Sequence, residues 1–79
     1  MNSIELGRIV RYHRKRAGLS RKELSALSNV SQSVIYEIER GKTTVKMNSV
    51  MKLLHALNLN LDISGPFVAE YNHLQNEWK

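Results

Sequence analysis

Apolar residues recur at helical spacing through most of the chain, then alternate one for one near its end. In residues 4–17, Leu6, Ile9, Val10, His13 and Ala17 fall on one stripe of a helix. Ser3 is placed as its N-cap, Glu5 suits the first turn, and Gly18 ends it. A second helix opens at "SRKE", where Ser20 and Glu23 have capping-box spacing; Leu24 and Leu27 should face inward. It stops near Ser28, and "SNVS" makes a tight connection. Ser31 caps a third helix over residues 32–40, and Gly41 is placed to end it in a left-handed turn. After the loop "KTTVK", a fourth helix over residues 47–57 should bury Met47, Val50, Met51, Leu54 and Leu57. "NLNLDIS", residues 58–64, then changes the rhythm: Leu59, Leu61 and Ile63 alternate with polar residues, as in a strand.

Two short capped helices joined by a few residues make a helix-turn-helix pattern. The expected fold is all-α, a four-helix bundle-like domain with a short C-terminal strand. A lone strand is unstable in water, so it needs a partner. A second copy of the chain would supply one, pairing residues 59–63 antiparallel across a two-fold axis, with Leu59, Leu61 and Ile63 over the helices. The alternative is an extended segment packed on its own domain. Gly65-Pro66 divides a domain of residues 1–64 from a tail of residues 65–79. In that tail Phe67, Tyr71, Leu74 and Trp78 are spaced as a helical stripe, and Pro66 suits a helix start. The tail is expected to dock a partner protein or to pack on the dimer, with disorder a third outcome.

Charge gives this fold a direction. The 79 residues carry a net charge of +5. Residues 1–55 hold eleven of the twelve Lys/Arg and four of the seven acids. A basic body with an acidic tail suits a polyanion, nucleic acid first. The absence of cysteine excludes disulfides and thiolate metal sites. No apolar run is long enough to span a membrane, and Arg8 and Arg11 interrupt any signal-peptide pattern. The expected location is a reducing cytoplasm.

The third helix carries the candidate chemistry. Val34, Ile35 and Ile38 cluster on one side; Ser33, Tyr36 and Arg40 lie opposite, flanked by Gln32 and Glu37. Such a helix can lie in a major groove with its first residues at base edges. Gln32 can pair with adenine, Glu37 can accept from a cytosine amino group, and Ser33 can bond to a base or a phosphate. Tyr36 can touch a thymine methyl or bond a phosphate. Arg40 and Lys42 are placed for the backbone, as are Ser20 and Arg21 at the N-terminus of the second helix.

"LSRKELSALSNVSQSVIYEIERGK", residues 19–42, resembles the helix-turn-helix of the Cro/repressor (XRE-like) family. The resemblance rests on Leu24, Ser25, Val30-Ser31-Gln32, Ile35, Ile38, "ERGK" and "HALNL", and covers residues 5–59. It implies a lambda-repressor-like domain whose third helix reads DNA, with Gln32, Ser33 and Glu37 at base-contacting positions. It also implies a structural ion pair between Arg14 and Glu39. Asn29 stands where that family usually has Gly, and Asn tolerates the left-handed turn. "KMNSVMKLLHALNLNLDI", residues 46–63, resembles HipB-type antitoxins, in which an added strand forms an intersubunit sheet. That resemblance implies self-repression and a HipA-type serine/threonine kinase toxin as partner.

No motif of an enzyme is present. His13, His55 and His73 lie far apart, Asp62 and Glu70 form no catalytic pair, and no metal or other cofactor is expected. The sequence therefore predicts a homodimeric repressor that binds double-stranded DNA at an inverted repeat, acting as an antitoxin. The alternatives are a stand-alone phage- or plasmid-type repressor and an interaction module that has lost DNA binding.

Overall fold

The structure, a computed structural model, describes residues 1–77. Five helices follow one another: α1 (Ser3–Arg16), α2 (Arg21–Ser28), α3 (Gln32–Glu39), α4 (Met47–Ala56) and α5 (Val68–Glu77). The first four form the packed body. Val10 of α1, Leu24 of α2, Ile35 and Ile38 of α3, and Val50, Leu53 and Leu54 of α4 meet around Val30 in a single core. Burying side chains of this size stabilises by about 1.5–3 kcal/mol each. No described helix is long and apolar enough to cross a membrane.

Helix boundaries follow local chemistry. The capping box of α2 is complete: the Ser20 hydroxyl accepts from the Glu23 N–H at 3.0 Å, and the Glu23 carboxylate accepts from the Ser20 N–H at 2.9 Å. The bond from the Ser20 N–H, with a smaller contribution from the Ser20 side chain, holds the Glu23 carboxyl below the usual glutamate value of 4.5. Ser31 caps α3 as expected. The cap of α1 is Asn2 rather than Ser3, because the Asn2 side chain accepts from the Glu5 N–H at 2.8 Å and Ser3 is already the first helical residue.

Three helices end in the same closing turn. In each, a left-handed residue (Gly18, Gly41 or Asn58) donates to the carbonyl three residues back, and the next residue donates to the carbonyl five back. The turn bends the chain back on its own helix. It brings Leu19 and Leu59 onto the core, and it lays Lys42 beside α3. Asn29, at φ 60°, supplies the left-handed residue between α2 and α3 without glycine.

Several inward positions differ from the pattern. Leu27 is 64% exposed, because α2 seats itself through Leu24 and Ser28, one turn apart. The Ser28 hydroxyl donates to the Leu24 carbonyl and accepts from the Val30 N–H, so its burial leaves nothing unpaired. On α4 the buried stripe is Val50, Leu53 and Leu54, with Leu57 half-buried; Met47 and Met51 fall outside it and are exposed. Ala17, at the very end of α1, is exposed as well.

Beyond Leu59 the chain runs without regular structure to Gly65, with Leu61 beside a cleft lined by Leu6, Val50 and Leu54. Residues 58–64 carry no strand ladder within the described chain; Leu61 is half-exposed and Ile63 is 79% exposed. The tail helix expected from the apolar spacing is present as α5, preceded by Pro66 and Phe67. Phe67, Tyr71 and Leu74 all face solvent, and Trp78 lies outside the described residues. The radius of gyration is 14.8 Å, against about 12 Å for a compact chain of this length.

Candidate nucleic-acid interface

Helix α3 is held from behind by charge. Arg14 of α1 donates to Glu39 of α3 through Nε at 2.6 Å and Nη2 at 3.1 Å, while its Nη1 donates to the Leu19 carbonyl at 2.9 Å. The Glu39 side chain is 1% exposed. The ion pair implied by the sequence resemblance is thus present. The sequence did not reveal its third member: Arg21 also donates to Glu39, from Nε at 3.1 Å. Three helices meet at one carboxylate, and no described buried polar side-chain atom is left unpartnered. A buried ion pair with every hydrogen bond made resists distortion, since freeing either partner strands a charge.

Main-chain contact adds to this. A methyl group on Gly7 would collide with the Ile38 carbonyl oxygen and lie 2.9 Å from that of Glu39. Helices α1 and α3 therefore touch backbone to backbone, and the last turn of α3 is fixed twice, by Gly7 and by Arg14.

The outward side of α3 carries the expected residues. Gln32 and Ser33 are exposed in the first turn, the Ser33 hydroxyl lying 3.3 Å from that of Ser31. Tyr36 is 46% exposed, and the guanidinium groups of Arg21 and Arg40 stand 5.1 Å and 5.7 Å from its ring centre. Both distances are in the range of cation–π attraction. Glu37 is half-exposed and pairs with Lys42 at 3.3 Å. Gln32, Ser33, Tyr36 and Glu37 thus share one accessible surface, bordered by Arg40 and Lys42.

The structure changes the standing of the cations. Arg21 is joined to Glu39 and Tyr36, and Lys42 to Glu37, before any DNA is present. Ser20 has both its hydroxyl and its N–H engaged by Glu23. His13 lies on α1 with Nδ1 2.7 Å from the Ile9 carbonyl, His55 is exposed on α4, and His73 is on α5. No group of three or more His, Cys, Asp or Glu gathers as a metal site among the described residues.

This geometry has known relatives. The helix-turn-helix family model matches residues 10–63. Over 62 residues the chain is 32% identical to y4mF of Sinorhizobium fredii, an uncharacterized HTH-type transcriptional regulator, covering 78% of this chain and 82% of that one. It is 38% identical over 65 residues to the HTH-type transcriptional regulator SlrR of Bacillus subtilis, covering 82% of this chain but 42% of SlrR. The restriction-modification controller protein C.AhdI of Aeromonas hydrophila superposes with a TM-score of 0.66 at 31% identity, covering 73% of this chain and 88% of that one. With α2, its left-handed Asn29 and the outward face of α3 all inside the matched segment, the chain belongs to the XRE-type helix-turn-helix family and is a transcriptional regulator with a helix-turn-helix DNA-binding domain.

Proposed function

We propose that the protein is a sequence-specific repressor that lays α3 in the major groove of an inverted-repeat operator as a homodimer. The observation that carries this reading is the anchoring of α3 by Arg14, Arg21 and Gly7, with Gln32, Ser33, Tyr36 and Glu37 on its free side. A fixed helix with polar groups in its first turn suits direct readout. Arg40 and Lys42, with the N-terminus of α2 at Ser20 and Arg21, would contact phosphates. The exposed Leu61 and Ile63 support pairing between two copies, which would set two reading helices about 34 Å apart. Such a regulator would act in the cytoplasm.

The test is enrichment of bound duplexes from a randomised pool. Wild-type protein should enrich an inverted repeat, and Gln32→Ala should relax one position in each half-site, at a loss of about 1–3 kcal/mol. Enrichment of no sequence by the wild-type protein would overturn the reading.

The narrower reading is autoregulation as the antitoxin of a HipA-type kinase. It is supported by the stretch "KMNSVMKLLHALNLNLDI" and by the apolar Phe67, Tyr71 and Leu74 displayed on the tail. The relatives described above are named as regulators and a controller, which equally supports a repressor acting without a toxin. Co-purification from the native host distinguishes them: a kinase partner supports the antitoxin reading, and DNA alone supports the simple repressor.

A further inference from the structure

Glu37 is an unexpected residue on a surface meant for DNA, because a carboxylate repels phosphate. The closing turn of α3 explains how it is tolerated. The Lys42 N–H donates to the Glu37 carbonyl at 3.0 Å, so the backbone fixes Lys42 one turn over Glu37. Its ammonium then meets the Glu37 carboxylate at 3.3 Å. Gly41, at φ 84°, makes this return. A methyl there would lie 2.9 Å from Ile4, so the turn is clamped against α1 as well. The pairing of Glu37 and Lys42 is thus built into the way the helix ends.

Resting on the reading of α3 as the groove helix, we infer that the Glu37–Lys42 pair is a discrimination latch that makes Lys42 available to phosphate only where Glu37 meets a cytosine amino group. On arbitrary DNA, a phosphate approaching Lys42 also approaches Glu37, and the pair presents no net charge. Lys42 then releases no counterion and adds nothing to affinity. At a site with cytosine opposite Glu37, the exocyclic N4–H₂ donates to the carboxylate in place of the ammonium. Lys42 is then free to neutralise a phosphate. Both side chains are near half-exposed, so the pair is weak enough to exchange. Base recognition and backbone attraction become one coupled event. The device suppresses binding to wrong sequences instead of adding affinity for the right one.

The experiment uses the full chain and two duplexes: a 30-base-pair duplex of random sequence, and the duplex that wild-type protein enriches. Binding is measured across a potassium chloride series for wild type, Glu37→Gln and Lys42→Gln. Both residues lie outside the core, and thermal melts verify that each variant is folded. Lys42→Gln leaves the Glu37 carboxylate unpaired and should weaken the random duplex only about twofold to threefold, yet weaken the enriched duplex, which also loses a phosphate contact, about tenfold. Glu37→Gln should tighten the random duplex about threefold to tenfold and steepen its salt slope by about one phosphate. The enriched half-site should contain a C·G pair whose exchange for T·A weakens wild type but not Glu37→Gln. Equal weakening of both duplexes by Lys42→Gln would show Lys42 to be an ordinary phosphate contact and overturn the latch. Unchanged random-duplex affinity in Glu37→Gln would overturn it too. Failure of the groove reading itself has a different signature, the loss of any sequence preference in the wild-type protein.

Discussion

Helices α3 and α5 carry large apolar groups at matching intervals, Ile35 and Ile38 in one, Tyr71 and Leu74 in the other. In α3 they are buried by neighbours from α1, α2 and α4; in α5 they stand in solvent, next to an equally exposed Phe67. Amphipathic spacing states which side of a helix favours cover. It does not state what provides the cover. The body meets its demand within one chain, whereas Leu61, Ile63, Phe67 and Tyr71 form an apolar margin around Gly65-Pro66 that the described residues leave open, with Leu74 exposed as well. Exposed apolar patches of this kind mark interaction surfaces.

This contrast can be broken from either side. The largest effect is expected at the ion pair inside the body. Arg14→Ala should cost about 3–5 kcal/mol in denaturant unfolding, because the buried Glu39 loses two of its three bonds, keeping only that from Arg21, and the Leu19 carbonyl loses its donor. Duplex enrichment with the folded fraction should return the wild-type sequence, and altered base preference in a fully stable variant would contradict the structural role. Ile35→Ala should cost about 2–5 kcal/mol through its cavity, independent of protein concentration. Tyr71→Ala is the matched change in the tail. It should leave the stability of the dilute monomer within about 0.5 kcal/mol of wild type; a loss equal to that of Ile35→Ala would place the tail in the body's own core. Leu61→Asp should weaken self-association about tenfold or more in sedimentation equilibrium, while an equally stable dimer would refute pairing through residues 59–63.

The smallest effects belong to the entry of α2. Ser20→Ala should lower stability by about 1 kcal/mol by removing a cap. Glu23 adds a pH signature. Its carboxyl is held below the usual 4.5 in the folded chain, so its contribution is complete above that value and is lost as pH falls through the depressed one. Stability curves of wild type and Glu23→Gln should therefore separate at neutral pH and converge in acid. Parallel curves would remove the Glu23 carboxylate from the cap.

The elements that sequence reveals are those whose causes are local. Ser20 with Glu23, Ser31, Gly18, Gly41 and Asn29 each act within a few residues, and each does in space what its position implies. The outward set on α3 is equally local, since one helical period fixes it. The partners of Arg21, Glu39 and Tyr36, are not legible in the sequence because they lie a whole helix away. Met47, Met51 and Leu27 follow the nominal stripe yet escape burial, because the tilt of one helix on another decides which edge is covered. The buried Leu53 was missed for the same reason. Sequence spacing assigns Lys42 and Glu37 separate places facing DNA; the returning backbone adds that they also pair with each other.

Gly7 has a wider consequence. Because α1 meets the end of α3 through main chain, the spacing between them is fixed by a hydrogen atom where every other residue has carbon. Side chains on the far side of α3 have no part in setting that distance. The outward face of α3 can therefore change residue by residue while the frame keeps its dimensions.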